Sequence, residues 1–266
     1  MHQRFSLLLL PRRLGSYKEL VDLFSPAILV SLQNRSCRAC LCITLLSVLC
    51  PVRIASAHRE DYIDETLVFV TLDRGEIEPE YWFDVGRVDS DQFTRHHLAL
   101  EYGITNHWMI DGRLTGLDEH GFHFDSSRLE TRYRFFDEGT LPIDIAVSGE
   151  VNTHRDEQGH QIFGIEPRLI LSKDFGKLNL TVNLAEEIPF SRDHPSFEVR
   201  GGWRYDATEL FRVGTELRYD TEERSVSVIP QIWFAFPYEV TLKAGYSYDF
   251  GGTHERFVRV ALEKGF

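Results

Sequence analysis

The sequence predicts an all-β protein, a transmembrane antiparallel up-and-down β-barrel of about 12 strands. Three observations lead to this prediction. Apolar and polar residues alternate over most of the chain after Ile77, which is typical of strands with one apolar face. An export signal precedes that region. The polar positions are heavily charged, which favours a barrel with an aqueous lumen over a soluble β-sandwich, whose strands also alternate.

Composition limits the classes of function. The chain has 266 residues, with 29 Lys and Arg, 41 Asp and Glu, and a formal net charge of −12. Nucleic-acid binding depends on clustered cations that neutralise phosphates, so this balance argues against a nucleic acid as partner. The sequence shows no recognisable catalytic motif. We therefore predict neither an enzyme nor a cofactor.

The beginning of the chain is predicted to be a targeting segment. Residues 35–57 begin with two arginines, Arg35 and Arg38, followed by an apolar run and a final Ala-Ser-Ala, which together indicate a signal peptide cleaved after Ala57. A transmembrane anchor is the weaker alternative, because the run is short. All four cysteines lie in this segment, where apolar filler is a simpler interpretation than a metal site. Residues 1–34 form an upstream extension, for which we expect a misassigned start.

Residues 58–76 lie between the predicted signal peptide and the first strand. Carboxylates at its beginning are followed by the apolar run 67–70. We interpret the segment as a periplasmic N-terminal tail or a plug, and we prefer the tail. An additional strand is the alternative, but it would make the strand count odd, whereas single-chain bacterial barrels have an even count.

Residues 77–266 are predicted to form the transmembrane β-barrel. In a late segment, for example, Val240 and Leu242 alternate with Thr241 and Lys243. Each segment is long enough for the roughly 10 residues that a tilted strand needs to cross a membrane. The predicted strands are 77–87, 92–103, 107–117, 122–136, 142–152, 161–174, 177–187, 196–206, 210–220, 224–236, 238–249 and 255–266.

The connections predict the orientation of the barrel. Those at 104–106 and 236–237 are tight, whereas 153–160 and 188–195 are longer and polar. We therefore expect both termini and the short turns at the periplasmic end, and the longer loops at the outer end. Aromatic residues near both ends fit the girdles of a membrane barrel. They are Tyr102, Trp108, Phe135, Tyr205, Phe236 and Tyr238 beside the short turns, and Tyr219, Tyr246 and Tyr248 near the other end.

The last predicted strand alternates and ends at an aromatic residue. It resembles the terminal signature of bacterial outer-membrane β-barrel proteins. This resemblance implies that the barrel assembly machinery reads Phe266, Leu262, Val260 and Val258, and that outer-membrane lipid surrounds the barrel. Lys264 departs from the apolar residue usual at its position.

Two internal phrases extend the resemblance. Residues 100–106 and 133–135 are similar to hairpins of porin-like outer-membrane channels, including the family named for the phenol meta-degradation pathway. The resemblance implies a location in the outer membrane of a Gram-negative bacterium. It also implies that the barrel is a channel.

The predicted inner face carries charges of both signs. Arg128, Arg132 and Arg134 form a basic ladder on one strand, which is typical of a pore for anionic solutes. The alternative is a lumen cross-braced by ion pairs that conducts little, and the sequence favours neither. The other predicted pore-lining residues are Glu130, Arg95, Glu101, Arg113, Glu150, Arg168, Arg200, Arg204, Arg212, Glu216, Arg218, Lys243 and Arg259.

These patterns predict passive transport of a small solute, and the arginines favour an anionic one. One alternative is an outer-membrane hydrolase carried by the barrel, with His96, His97, His107 and His123 as candidate bases. Another is a closed structural barrel, or one that captures a metal through histidines. The histidines considered for a metal are His58, His120, His123, His154 and His160.

Overall fold

A computed structural model describes residues 61–64, 66–155, 160–190, 195–221, 224–251 and 254–266. The upstream extension, the signal peptide and His58 lie outside the described residues. No apolar helix of membrane-spanning length occurs in the part of the chain that the structure describes.

The described residues form twelve β-strands, and each lies where the alternation predicts one, with ends that agree within three residues. Strand β11 begins two residues later than predicted, because Tyr238 and Glu239 have positive φ angles of 68° and 56° and form the preceding turn. The strands are β1 (Ile77–Val88), β2 (Asp91–Thr105), β3 (Trp108–Asp118), β4 (Phe122–Arg134), β5 (Asp144–Arg155), β6 (Gln161–Phe175), β7 (Leu178–Pro189), β8 (Ser196–Asp206), β9 (Phe211–Asp220), β10 (Ser225–Phe236), β11 (Val240–Phe250) and β12 (Arg256–Lys264).

The twelve strands form one closed antiparallel barrel. Each strand pairs with its neighbours in sequence, and β1 pairs with β12 to close the sheet. The closing register places Glu80 opposite Glu263 and Val85 opposite Val258. Closure leaves no free strand edge, so every strand has a partner on both sides. The predicted all-β barrel and its strand number are confirmed.

The two faces of the barrel differ in chemistry. On β2 the side chains of Leu98 and Leu100 point outward and are 60% and 54% exposed, whereas Ala99 and Glu101 point inward and are buried. The other strands repeat this pattern, with apolar residues outside and charged or polar residues inside. Aromatic residues such as Trp108 at one end and Tyr219 at the other are exposed on the outer face. The outside of the barrel therefore suits lipid.

The end of the barrel where β1 begins and β12 ends is called the terminal end, and the other is called the loop end. Short turns at 176–177 and 237–239 lie at the terminal end, as predicted. The longest connection, 135–143, also lies there, which departs from the prediction that this end holds only short turns. The longer turn is held by Asp144, whose Oδ1 accepts a hydrogen bond of 2.7 Å from the backbone of Gly139.

The seam between the first and last strands continues to the end of the chain. The backbone nitrogen of Phe266 donates to the carbonyl of Ile77 over 3.0 Å, and that of Ile77 donates back over 3.3 Å. Lys264 is buried here and donates to the carbonyl oxygens of Tyr238 and Gly265. The lysine that departs from the terminal signature thus ties the seam to the turn before β11.

Candidate functional site

The lumen contains the chain that precedes β1. Tyr62, Ile63, Leu67 and Phe69 are at most 2% exposed, although they belong to no strand. This segment, residues 61–64 and 66–72, is called the plug. Of the two predicted alternatives, tail and plug, burial of the described residues inside the lumen favours the plug.

The plug turns back on itself near the middle of the barrel. The backbone nitrogen of Tyr62 donates to the carbonyl of Thr66 over 3.1 Å, which closes a turn with Asp64 at its tip. Its exit is fixed at the terminal end, where the nitrogen of Gly75 donates to the carbonyl of Gly103 over 2.8 Å and the nitrogen of Gly103 donates to Glu76. Both ends of the described plug therefore lie toward the terminal end of the barrel.

Polar side chains of the wall replace the strand partner that the plug lacks. Asn183 pairs with the backbone of Leu67, accepting from its nitrogen over 2.7 Å and donating to its carbonyl over 2.9 Å. Gln231 accepts from the nitrogen of Ile63 over 2.8 Å. Glu216 accepts from the nitrogens of Asp64 and Thr66 over 2.8 and 2.7 Å. A buried backbone group without such a partner would be costly, so these wall residues make the insertion possible.

Two cations of the wall bind the first described residue of the plug. Arg132 makes an ion pair of 2.7 Å with Asp61 and also donates to the carbonyl of Val68 over 3.3 Å. Lys243 donates to the carbonyl of Asp61 over 2.7 Å. Burial raises the pKa of Asp61, but the charge and hydrogen bonds of Arg132, the backbone hydrogen bond from Val68 and the charge of Lys243 together lower it below its ordinary value. Asp61 is therefore an ionised anchor at neutral pH.

Apolar contacts complete the fit of the plug. The ring of Tyr62 meets the edge of Trp233 with 5.8 Å between centroids. It lies against Gly202, where any Cβ would come within 2.5 Å of the ring. On another part of the wall, Ile63 packs with Trp82 and Ala261. The plug contacts strands on opposite sides of the barrel and thus spans the lumen.

A cavity remains between the plug and the loop end, and it is called the vestibule. Its volume is about 260 Å³, and Asp64 at the tip of the plug forms part of its floor. Arginines predominate among its charged residues, although Asp125 and Glu150 are also present. Convergent cations in a confined space attract anions. The arginines that line the vestibule are Arg95, Arg113, Arg128, Arg200, Arg218 and Arg259.

The arginines of the predicted ladder on β4 point into the lumen, but they contact different parts of the protein. Arg128 faces the vestibule and pairs with Asp111 over 3.1 Å and Glu150 over 3.6 Å. Arg132 binds the plug, and Arg134 donates to a turn carbonyl at the terminal end. The arginines therefore do not form one continuous basic track.

The other predicted lumen residues also lie on the inner face, many of them in ion pairs. Glu130 pairs with Arg132, and Glu101 is buried in the terminal half of the lumen. Cross-bracing and an arginine-rich space thus occur together in the lumen, because vestibule arginines such as Arg128 and Arg200 are themselves paired with acids of the wall. Further wall pairs are Arg168 with Glu166, Arg200 with Glu198, Arg204 and Arg212 with Asp206, and Lys243 with Glu263.

One histidine belongs to a network that the sequence did not indicate. His97 lies 3.0 Å from Oγ1 of Thr115 through Nδ1, and 3.2 Å from Asp84 through Nε2. Arg259 donates to both carboxylate oxygens of Asp84 over 2.7 and 2.8 Å. These residues come from four strands, and only the barrel register brings them together. The arrangement resembles a base with its orienting carboxylate, but the carboxylate is mainly engaged by the arginine.

The histidines considered for a metal do not form a site among the described residues. His120 and His160 are exposed near different loops, and His154 lies 3.9 Å from Glu187. In the described part of the chain, the group of three potential ligands within 4.8 Å consists of carboxylates instead, Glu78, Glu80 and Glu263. Because the last of these pairs with a lysine, the group is part of the charge network of the wall.

No protein-family model and no curated protein sequence matches the chain. Solved structures do match it. An outer membrane channel from Pseudomonas putida F1 has a TM-score of 0.60 at 12% identity, over 78% of this chain and 100% of that one. The KdgM porin has a TM-score of 0.56 at 9% identity, over 71% and 99%. The NanC porin has a TM-score of 0.53 at 13% identity, over 71% and 98%. The fold is that of outer-membrane porin-like channels.

Proposed function

We propose that this protein is an outer-membrane channel for passive transport of small anionic solutes. The plug restricts passage while it occupies the lumen, which we call the plugged state. The observation that carries the proposal is the arginine-lined vestibule inside a closed barrel with an apolar outer face. A solute would enter this cavity from the loop end and meet cations before it meets the plug.

We extend the proposal to location and assembly. An apolar exterior belongs in lipid, and the predicted signal peptide would export the chain to the outer membrane of a Gram-negative bacterium. Both ends of the barrel sequence would then face the periplasm, and the vestibule would face outward. The barrel assembly machinery would read Phe266 and the alternate residues before it, of which Val258 and Val260 are exposed on the outer face.

The similar structures support an acidic solute. One of them is the KdgM porin in complex with disordered oligogalacturonate, a chain of sugar carboxylates, and that structure has a TM-score of 0.54 at 9% identity. The vestibule of the present chain offers the complementary charge. Its size, about 260 Å³, suits one small organic anion better than a folded polymer.

We assign no catalytic role to the lumen. His97 is the histidine with the most elaborate contacts, yet Arg259 engages the carboxylate that would orient it. A general base benefits from a carboxylate directed to the imidazole. The network therefore serves to brace β1, β2, β3 and β12 at the floor of the vestibule.

The test is the ion selectivity of the mature chain, 58–266, in planar bilayers under a salt gradient. We expect chloride to permeate better than potassium. Replacing two vestibule arginines, Arg95→Gln and Arg128→Gln, should move the permeability ratio toward one, because the local anion concentration follows the charge of the cavity. Arg87→Gln, at an exposed position of β1, is the matched control and should leave the ratio unchanged.

Two results would contradict the proposal. Cation selectivity of the unaltered channel would exclude an anion path. Silence of the folded protein would exclude a channel, provided that it persists when the plug is loosened by Asn183→Leu. Folding is checked by the heat-dependent shift in gel mobility.

A further inference from the structure

The tip of the plug places a carboxylate among the vestibule arginines. Oδ1 of Asp64 lies 3.2 Å from Nη1 of Arg259, and Oδ2 lies 3.5 Å from Nη1 of Arg218. Arg200 donates to the backbone carbonyl of the same residue over 2.6 Å. Three guanidinium groups from β8, β9 and β12 thus converge on one residue of the plug.

The carboxylate of Asp64 packs against the wall on one side and borders the vestibule on the other. Asp64 is 6% exposed and lines the cavity. Arg218, one of its partners, retains 28% of its side-chain surface, so an ion in the vestibule can reach the guanidinium while the plug is in place. The pair is therefore open to competition from the vestibule side.

A second carboxylate lies beside the tip. Glu216 accepts from the backbone nitrogens of Asp64 and Thr66, so it holds the backbone of the tip while adding negative charge next to the side chain of Asp64. If an external anion drew Arg218 and Arg259 away from Asp64, its carboxylate would lose both cations and keep an acidic neighbour, which would weaken the hold on the tip.

Release of the tip does not require the barrel to open. Among the described residues of the plug none belongs to a strand, and their backbone is held by wall side chains such as Asn183 and Gln231. The seam between β1 and β12 is complete without it. The plug can therefore leave while the wall of the channel stays intact.

We infer that Arg200, Arg218 and Arg259 form a carboxylate-binding subsite in the middle of the barrel, which Asp64 occupies in the plugged state and which the carboxylate of the solute takes in its place. The inference rests on the proposed function and makes it more specific. The solute class is a small organic carboxylate, and binding of the solute is coupled to opening. The plug then acts as an internal substitute for the solute.

Mass action gives the expected size of the coupling. A ligand that binds only the released state raises the released population by the factor 1 + [L]/Kd, so a concentration of ten times Kd gives about an elevenfold increase. A neutral molecule of the same shape forms no ion pair with the arginines and should not raise the released population.

The experiment compares galacturonate with galactose, two sugars that differ by one carboxylate, on the full mature chain in planar bilayers. For the unaltered protein we expect galacturonate to raise the open fraction about tenfold, and galactose to leave it unchanged. Asp64→Asn removes the internal carboxylate and keeps its shape. This variant should be open without any sugar, gain less than twofold from galacturonate, and bind galacturonate at least tenfold more tightly in equilibrium dialysis.

Asp73→Asn is the matched control, since Asp73 directly follows the plug and its side chain is exposed. It should behave like the unaltered protein. Equal responses to galacturonate and galactose would overturn the inference, and so would identical open fractions and affinities for Asp64→Asn and the unaltered protein. These failures are distinct from failure of the proposed function, which is measured by chloride conductance and selectivity without sugar.

Discussion

Asn183 offers the sharpest test of how the plug is held. Its side chain is fully buried and satisfies both the nitrogen and the carbonyl of Leu67. Asn183→Leu keeps the branched side-chain shape and the number of heavy atoms, and removes both hydrogen-bonding partners of Leu67. Each orphaned buried group costs about 1–3 kcal/mol, so the plugged state should lose about 2–6 kcal/mol relative to the released state, in which water satisfies the backbone. At 1.4 kcal/mol per factor of ten, the released population should rise by at least about 30-fold.

Two measurements check this prediction. Residues 58–266 contain no cysteine, so Val70→Cys introduces a single thiol in the plug of that chain. We expect Asn183→Leu to raise both the labelling rate of that thiol by a polymer-linked maleimide and the single-channel open fraction. Asn152→Leu, which removes a vestibule amide bonded to Glu150, is the control and should change neither. Unchanged labelling and open fraction in a folded Asn183→Leu protein would refute the view that paired amide bonds retain the plug.

Two further perturbations test the plug and the membrane face. A Cβ on Gly245 would lie 3.0 Å from Cγ2 of Ile63, which places the two Cβ atoms within about 4.5 Å, so Ile63→Cys with Gly245→Cys should form a disulfide. It should keep Asn183→Leu closed until a reductant is added, and opening under oxidising conditions would count against plug movement. On the outer face, Leu98→Arg should cost about 2–4 kcal/mol in denaturant titrations in vesicles, whereas Tyr102→Arg near the terminal end should cost about 0–1 kcal/mol. Equal costs would contradict a membrane boundary along β2.

The wall of the barrel could be predicted from the sequence because two solvents act on each strand. Lipid selects one face and the lumen selects the other, so Leu98 and Leu100 alternate with Ala99 and Glu101. The count of such segments then gives the strand number, and the need to pair every strand edge in lipid gives closure. The strand boundaries at turns were harder to predict. Tyr238 and Glu239 adopt positive φ angles, which residues of these types do not signal in the sequence.

The contents of the lumen could not be predicted in the same way. Asn183 and Leu67 are 116 residues apart, and nothing local marks their pairing. On an inner face where nearly every residue is polar, an amide that binds the plug looks like an amide that binds water. The apolar run 67–70 likewise left tail and plug as open alternatives, since the partners of its backbone, such as Asn183, lie on distant strands. The ladder on β4 shows the same limit, because alternation gives the face of Arg132 but not the depth at which it meets Asp61.

The anchored exit of the plug gives it the properties of a tethered ligand. Glu76 is fixed beside Gly103, and only a short stretch of chain separates that anchor from the tip at Asp64. A ligand on a short flexible tether has an effective concentration of about millimolar at its own site. A free carboxylate with the same intrinsic affinity must reach a similar concentration to compete. The channel would then respond to the abundance of a solute as well as to its charge, and would stay shut when the solute is scarce.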